Sequence, residues 1–523
     1  MKRFNFLLTA LILAVLIPTA VHAQTDRVVE RIIEIGTTDN QTMEHLNVLS
    51  NRIGGRLSGS DAYANAVTWA AEQMRRWGME VVLDEVGEVP VGFNRGPWSG
   101  RMLSQNGMTL HFATPSYTSG TRGVQRGHVV LEPKSRAQFD RMKGTLEGAW
   151  VLVTGMNGGW PIDYSERGDR NRERVLERRA EVAAENARIS RANRANPDGE
   201  QQELLEMPDA PALFYREMVE AGILGIIQAS RIPITALYDR GNIDDMDFFD
   251  NLPTTPDIKL NEHQYRVIEQ KVRDRQLVIL EFDIRNHFKP GPVKYHNVFG
   301  IIRGTEFPDE YVMMGGHLDA FDVATGGVDC GVGTTPAMES ARLILEAGGR
   351  PKRSIVVTLW AAEEYGLLGS RHWVHSNMDK LPNISNYFNR DGGPLVPTGI
   401  TVPEAMYEDF KAICEPINDI NPDFPFEVRR RRGEPPTRPT RAGGSDHAWF
   451  AINGVPTLNF SLGDVKGYDF RYSDIWHTER DTYDMSIAEY QEHTAVVQAV
   501  VVYGLANLPH VLSRRGLYRE PDL

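Results

Sequence analysis

Histidine and acidic residues follow apolar runs at several places in the second half of this 523-residue chain. The first apolar run, 311–316, is followed by His317 and, two residues later, by Asp319. A metal-binding imidazole commonly has its second ring nitrogen held by a carboxylate, so Asp319 is the candidate partner of His317. A lone His-x-Asp sequence is more typical of a structural histidine, and the neighbouring motifs decide its interpretation.

Further carboxylates recur downstream at similar positions. Asp329 lies on a glycine-containing turn, where a short carboxylate can bridge two cations. The apolar run 355–359 leads into Glu363 and Glu364, whose side chains diverge, so that one can bind a metal while the other faces a reacting water. A Glu-Glu pair alone is equally typical of a solvated helix start. Asp391 again follows an apolar stretch.

The last such segment contains His477, followed four residues later by Asp481. Each motif has an ordinary structural explanation when it is taken separately. Together they supply two imidazoles and three carboxylates as candidate metal ligands. A fourth carboxylate is then available as a base.

The elements that must position these residues form an α/β pattern. Beyond about residue 295, apolar runs alternate with helical stretches, which predicts a sheet covered by helices. The predicted strands are 298–302, 311–314, 355–359 and 457–460. Because open α/β sheets bind ligands at the carboxyl ends of their strands, we expect the motifs to meet at one edge.

Composition and the N-terminus limit the class of protein. A formal net charge of -13, with no basic domain, argues against nucleic-acid binding. The two cysteines could form one disulfide at most, which cannot stabilise a chain of this length by itself. Residues 1–23 contain Lys2, Arg3, an apolar run over 6–17 and a small-residue exit, the pattern of a cleaved signal peptide. The run is shorter than the roughly 20 residues of a spanning helix. We expect a secreted or periplasmic protein without stable membrane insertion.

The ordered motifs resemble those of the co-catalytic zinc exopeptidases, which include aminopeptidase Y, glutamate carboxypeptidase II and carboxypeptidase Q. The resemblance covers nearly the whole chain after residue 23. It is carried by His317-Leu318-Asp319, Gly327-Val328-Asp329, Glu363-Glu364-Tyr365-Gly366-Leu367-Leu368-Gly369-Ser370, Asp391 and His477-Thr478-Glu479-Arg480-Asp481-Thr482.

The resemblance implies an enzyme that hydrolyses peptide bonds at chain ends with two Zn²⁺ ions. His317 and Asp391 would hold one zinc and Glu364 and His477 the other, with Asp329 bridging them. Glu363 would be the general base. Asp319 and Asp481 would support the ligands without binding metal.

The implied fold is a mixed central sheet flanked by helices, with an inserted β-rich protease-associated domain. Residues 24–115 would form the N-terminal part of the peptidase domain, 116–290 the insert and 291–523 the catalytic domain. Within the insert, the charged stretch 163–206 has Val175, Val182 and Ile189 spaced seven apart, which predicts a helical arm with a narrow apolar stripe. The stripe can pack on its own domain or form a homodimer contact, and the sequence leaves both open.

Several residues depart from the family pattern or lie beside it. Cys330 stands where the family often has a second acid, and we interpret it as a small buried hydrophobe, leaving pairing with Cys414 undecided. Trp476 stands where some relatives have tyrosine. Arg390 places a positive charge next to Asp391, and the sequence does not determine where its side chain points. His447 is assigned to the substrate side.

A basic loop precedes His447. Residues 428–441 contain six arginines and one acid, a local charge of +5. An arginine fork suits a carboxylate, so Arg438 and Arg441 are candidates for binding a substrate carboxylate. The alternative is a solvated loop or a subunit contact.

Two other functions fit part of the pattern. A single-zinc glutaminyl cyclase-like acyl transferase shares the Trp-His-Thr context, but the presence of His317 and Asp391 favours two metals. A non-catalytic binding ectodomain shares the fold, but such relatives lose ligands that this chain keeps. The choice between an aminopeptidase and a carboxypeptidase stays open.

Overall fold

The computed structural model describes residues 25–104, 107–238 and 252–521. The predicted signal peptide lies outside the described residues. Contacts divide the chain into two compact units, of which the first comprises Met1–Glu88, Lys294–Trp476 and Arg480–Leu523. The second comprises Val89–Val293 and His477–Glu479. Over the described ranges, the structure contains no helix that is both long and apolar enough to span a bilayer.

Strands and helices alternate along most of the described chain. The strands are β1 (Glu80–Val89), β2 (Gly92–Asn94), β3 (Trp98–Met102), β4 (Met108–Thr109), β5 (Phe112–Ala113), β6 (Gln125–Leu131), β7 (Ala149–Asn157), β8 (Gly225–Ser230), β9 (Asp257–Asn261), β10 (Ile279–Ile284), β11 (His287–Lys289), β12 (Val293–Ile302), β13 (Phe307–His317), β14 (Arg353–Trp360), β15 (Ile384–Asn389), β16 (Val396–Val402), β17 (Glu427–Arg430) and β18 (Phe460–Gly463). The helices are α1 (25–38), α2 (Thr42–Asn47), α3 (Asp61–Arg76), α4 (Arg136–Met142), α5 (Glu166–Ala195), α6 (Tyr215–Glu220), α7 (Glu262–Arg273), α8 (Gly331–Glu346), α9 (Leu368–Ser376), α10 (Tyr407–Cys414), α11 (His447–Ile452) and α12 (Ala488–Ala506).

The first unit is built on a five-stranded mixed sheet with the order β1-β12-β14-β13-β15. Strand β12 is antiparallel to β14, whereas β13 is parallel to both β14 and β15. Every residue of β14 is buried, as expected for a strand covered on both faces. Helices α8 and α12 are also buried along nearly their whole length. These features confirm the predicted mixed α/β architecture.

One predicted strand is displaced in the structure. The prediction placed a strand at 457–460, but β18 covers Phe460–Gly463 and pairs antiparallel with β16 in a separate three-stranded sheet. The preceding residues instead run beside β15. There the side chain of Asn386 accepts from the Leu458 amide at 2.9 Å and donates to the Leu458 carbonyl at 3.0 Å. The Asn386 side chain thus forms the hydrogen bonds that a neighbouring strand would otherwise provide to the Leu458 backbone.

The second unit contains an eight-stranded sheet with the order β4-β3-β10-β6-β7-β8-β9-β5. The predicted insert begins at residue 116, whereas this compact unit begins at Val89. The earlier start arises because β3 pairs with β10 and β5 pairs with β9. Such long-range pairing is invisible to local sequence patterns. The protease-associated nature of this unit remains a prediction.

The charged stretch forms helix α5, which ends at Ala195 before Pro197 instead of continuing to 206. Its stripe is covered within the chain, because Val182 and Ile189 are both buried. The following segment returns along the helix, and Asn186 exchanges two hydrogen bonds with the Leu205 backbone, at 2.7 and 2.8 Å. This arrangement favours the arm packing on its own unit, while the homodimer stays a prediction.

Candidate functional site

His317 lies at the last position of β13 and is the centre of the predicted cluster. Its Nε2 atom lies 3.1 Å from Asp329 Oδ1 and 3.5 Å from Asp391 Oδ1, and its side chain is about 1% exposed. Ligand atoms of His317, Asp329 and Glu364 lie within 4.8 Å of one another. The parallel register of β13, β14 and β15 explains the convergence, since the carboxyl ends of the three strands meet at one edge.

Asp319 orients the loop that carries the two glutamates. It is fully buried, and its two carboxylate oxygens accept from the amides of Glu363 and Glu364 at 3.2 and 3.3 Å. Its backbone carbonyl lies 2.9 Å from His317 Nδ1. Asp319 therefore contacts both the imidazole and the glutamate loop, a wider role than the imidazole partner expected from sequence.

Asp481 performs a comparable task for the loop that carries Asp329. Its Oδ1 accepts from the amides of Val328 at 2.7 Å and Asp329 at 3.2 Å. Burial raises the pKa of Asp481 to about 7, and the nearby Asp329 charge acts in the same direction. The Asp481 carboxylate therefore accepts hydrogen bonds from backbone amides of the Asp329 loop, while its support of a metal ligand stays a prediction.

Arg56 is a residue of the site that sequence reasoning missed. It is completely buried, and its guanidinium donates to the carbonyls of Leu318 at 2.5 Å, Thr325 at 3.0 Å and Gly326 at 3.1 Å. These carbonyls flank the segments that carry Asp319 and Asp329. A weak signal was available, because an arginine directly after two glycines has no place in an amphipathic helix pattern.

The electrostatics of the cluster favour the presence of a cation. Burial raises the pKa of Glu364 well above its ordinary value and that of Glu363 to about 11, and neighbouring carboxylates add to both increases. For His317, burial alone would lower the pKa, but Cys330, Asp391 and Glu363 raise it overall. So many buried acids disfavour their charged forms unless positive charge compensates them. Imidazole and carboxylate donors are also ligands that Zn²⁺ takes, so these residues fit zinc.

Cys330 lies inside the same region. Its Sγ atom belongs to a group with His317 and Asp391 whose ligand atoms lie within 4.8 Å of one another, yet the thiol donates to the Arg390 carbonyl at 3.0 Å. Burial raises the pKa of the thiol to about 12. Cys330 and Cys414 are both free and buried. These contacts agree with the structural interpretation of Cys330.

Arg390 points from the ligand loop into the protein interior. Its guanidinium donates to Thr494 Oγ1 at 3.0 Å, to the Leu395 carbonyl at 2.9 Å and to Gln491 Oε1 at 3.1 Å. Thr494 and Gln491 belong to α12. The cation therefore ties the loop before Asp391 to that helix.

His447 begins α11 on the side of Asn389, the last residue of β15. The Asn389 amide nitrogen donates to Ser445 Oγ at 2.8 Å and lies 3.5 Å from His447 Nδ1. Burial lowers the pKa of His447, whereas it raises that of the adjacent Asp446 to about 8. His447 is in neither of the metal-type groups found among the described residues. Its assignment to the substrate side stays a prediction.

The arginine-rich loop is mostly engaged with its own chain. Arg438 donates to Glu520 Oε2 at 2.6 Å and to the Ile452 carbonyl at 2.5 Å, so its fork is already occupied. Arg430 pairs with Glu408 at 3.0 Å and lies over the Tyr407 ring. Arg441 is exposed. Of the two candidates for a substrate carboxylate, Arg441 is the one without a recorded side-chain partner in the described part of the chain.

His477, the remaining predicted ligand, is grouped with the second unit. The metal-type clusters within the described ranges do not include it. Its neighbour Thr478 forms a bridge with Thr235, and the Glu479 carboxylate lies 2.7 Å from His111 Nε2. Its role as a ligand is thus implied by the resemblance alone.

Comparison with known proteins places this site in context. The model of peptidase family M28 matches residues 297–501, which contain all of the ligand motifs. Human carboxypeptidase Q is 23% identical over 479 residues, covering 92% of this chain and 88% of that protein. A probable glutamate carboxypeptidase from Arabidopsis thaliana is 35% identical over 200 residues, which is 34% of this chain and 27% of that protein.

Two solved structures show a related fold. A peptidase M28 precursor from Shewanella amazonensis has 18% identity and a TM-score of 0.55, covering 94% of this chain and 99% of that chain. A zinc aminopeptidase from Bacillus subtilis has 16% identity and a TM-score of 0.50, covering 91% and 97%.

Proposed function

We propose that this chain is a secreted metallopeptidase of the co-catalytic zinc exopeptidase type and that it binds two zinc ions. The match to the peptidase family M28 model and the similarity to carboxypeptidase Q support the proposal. The proposed enzyme removes residues from the ends of short peptides. The observation that carries the proposal is the convergence of the buried His317 and Asp329 with the partly buried Glu364 and Asp391 near the carboxyl ends of parallel strands.

The roles of the ligands follow the family motif residue by residue. His317 and Asp391 would hold one zinc and Glu364 and His477 the other, with Asp329 as the ligand that they share. Zinc in such a site polarises the scissile carbonyl and lowers the pKa of bound water to about 7. The remaining chemistry is supplied by side chains of the chain.

Glu363 is the proposed general base. Its carboxylate accepts a proton from the attacking water as the water oxygen bonds to the peptide carbonyl carbon. The carboxyl then donates that proton to the leaving amine as the carbon–nitrogen bond breaks. Asp319 supports this role because it fixes the Glu363 amide at 3.2 Å, and thereby the loop on which the base is carried.

The side of the peptide that is recognised is a finer proposal. The similarity to carboxypeptidase Q extends over nearly the whole chain, and the exposed Arg441 offers a positive charge for a substrate carboxylate. Both observations favour cleavage at a free C-terminus. The aminopeptidase structure among the fold neighbours is the reason to test both ends.

The test combines zinc analysis with a panel of dipeptides. Two zinc ions per chain and hydrolysis of unblocked dipeptides are expected from the purified protein, and N-acetylated and C-amidated forms identify the recognised end. One zinc with cyclisation of N-terminal glutamine would instead indicate the cyclase-like function. A protein that binds no zinc and cleaves no peptide would contradict the proposal in favour of a binding ectodomain.

Replacement of the base tests the assignment of roles. Glu363→Gln removes a proton acceptor and no ligand, so the variant should keep both zinc ions and lose about 10²–10⁴-fold in turnover. The matched control is Glu364→Gln, which alters the adjacent proposed ligand and should lower zinc content. Turnover of Glu363→Gln within a few-fold of wild type would show that another group is the base.

A further inference from the structure

The short segment that carries His477 is attached to the second unit by several contacts. Thr478 forms a bridge with Thr235. The backbone amide of Glu479 donates to the Ile234 carbonyl at 3.0 Å, and the Ile234 amide donates back to Glu479 Oε1 at 3.0 Å. The second carboxylate oxygen, Oε2, lies 2.7 Å from His111 Nε2. Both oxygens of Glu479 are therefore used within this unit.

His111 is itself held in place. Its backbone amide donates to Gln264 Oε1 at 2.8 Å, and its carbonyl accepts from the Asn261 amide at 2.9 Å. The side-chain amide of Asn261 lies 3.2 Å from His111 Nδ1. This contact fits a tautomer in which Nδ1 accepts and Nε2 donates to Glu479. Because Asn261 is the last residue of β9, the Glu479 carboxylate is connected through His111 to the end of a strand in the eight-stranded sheet.

The backbone of His477 needs such an anchor. Its φ angle is 56°, in the left-handed region that side chains other than glycine rarely adopt. Residues in such conformations persist only when the surrounding structure holds them, and they concentrate at functional sites. The hydrogen bonds of Glu479, two residues later, are a means of holding the segment in this conformation.

We propose that Glu479 is a positioning residue that presents His477 for zinc binding by fastening its segment to His111 and Ile234 of the second unit. The inference rests on the proposed function of His477 as a ligand. The glutamate contacts neither substrate nor metal in this role.

The main test measures zinc rather than activity alone. Glu479→Ala removes the side-chain contacts to His111 and Ile234. Affinity for the second zinc, the ion assigned to Glu364 and His477, should therefore fall by about 10–100-fold in zinc-buffered dialysis, as is typical when a group that orients a ligand is lost. The first zinc should remain. Turnover should fall in parallel at limiting zinc and recover when zinc is raised.

Three further variants separate positioning from fold stability. Glu479→Gln keeps an acceptor for the Ile234 amide and should restore most of the affinity. His111→Ala removes one of the two anchors and should shift zinc affinity in the same direction by less, which also covers the case in which Glu479→Ala does not fold. The matched control is Glu281→Ala, which removes a buried carboxylate paired with Arg101 at 2.6 Å elsewhere in the second unit.

The outcomes are distinguishable. If Glu479→Ala and His111→Ala keep wild-type affinity for the second zinc, or if Glu281→Ala weakens it equally, the positioning role is overturned while the proposed function stands. If the wild-type protein binds fewer than two zinc ions, the proposed function fails and this inference fails with it.

Discussion

Arg56 shows how one side chain can organise a site without entering it. Three of its hydrogen bonds end on the backbone carbonyls of Leu318, Thr325 and Gly326, so its cation is placed among the segments that carry Asp319 and Asp329. Burial lowers the pKa of this guanidinium, while the carboxylates of Asp481, Asp319 and Asp329 oppose that decrease. The buried positive charge therefore depends on the same acids that it helps to arrange.

Substitution of Arg56 should loosen the metal site. Arg56→Lys keeps the charge but cannot reach three carbonyls with a planar fork, so zinc affinity should fall by about 10–100-fold. The matched control is Arg353→Lys, which alters an equally buried arginine that pairs with Glu310 at 2.6 Å. Zinc-buffered dialysis of both variants provides the measurement. Equal zinc loss in the two variants would indicate a general effect of buried arginines instead.

The arginine-rich loop leads to a prediction about specificity. Arg441→Ala should raise KM for a peptide with a free C-terminus and leave its C-amidated form unchanged, because an exposed guanidinium can pair with the terminal carboxylate. Arg438→Ala serves as the comparison, since its fork is occupied by Glu520 and the Ile452 carbonyl. The same change in KM for free and amidated peptides would exclude the carboxylate contact.

At the scale of elements, helix α8 links the Asp329 loop to the interior of the first unit. It begins directly after Cys330 and contains the fully buried Glu339. The Glu339 carboxylate accepts from Arg342 at 2.7 Å, lies 3.2 Å from His45 Nε2 and accepts from the Gln41 amide at 2.9 Å. The network fastens α8 to α2 and so fixes where the loop before it can lie.

This network predicts a pH-dependent contribution to stability. Burial alone would raise the pKa of Glu339, but Arg342 and His45 lower it overall. A lowered folded-state pKa means that the charged form stabilises the fold above the ordinary carboxyl pKa and that the contribution disappears as pH falls through the folded-state value. Glu339→Gln should therefore cost about 2 kcal/mol at pH 7 and much less in strong acid.

The measurement is the melting temperature of wild type and Glu339→Gln at pH 7 and pH 3, both in chelator so that metal loss does not contribute. The difference between the two proteins should shrink at pH 3. A difference that is constant across this range would show that the carboxylate charge of Glu339 does not stabilise the fold.

At the scale of the whole molecule, the first unit contains four of the five proposed zinc ligands. The first unit supplies His317, Asp329, Glu364 and Asp391, whereas His477 is grouped with the second unit. The buried acids of the first unit repel one another without a cation. Metal binding should therefore stabilise the native protein.

Removal of metal should lower the melting temperature of the protein. An ion present at about 100 times its dissociation constant stabilises the native state by about 2.7 kcal/mol, so chelation should produce a clear decrease and added zinc should reverse it. Asp329→Ala is the matched variant, because loss of the proposed bridge should already release metal and make the melting temperature insensitive to chelator. A wild-type protein unaffected by chelation would contradict a zinc site of this strength.

The sequence alone determined the fold class and the grouping of four site residues. Apolar runs mark the strands β12, β13 and β14, and polar residues at the ends of β13 and β14 meet because parallel strands share an edge. His317, Asp329, Glu364 and Asp391 converge as their motifs indicated. These conclusions depend on local patterns and on the geometry of one sheet, both of which can be inferred from residue order.

Only the tertiary structure decided which groups support the cluster and to which unit each segment belongs. Arg56 lies more than 260 positions before the carbonyls that it binds, and no local pattern connects them. The attachment of Glu479 to His111 and the early start of the second unit at Val89 also depend on long-range pairing. Hydrogen bonds between distant segments depend on the packing of complete elements, whereas sequence periodicity reports only the face that one element buries.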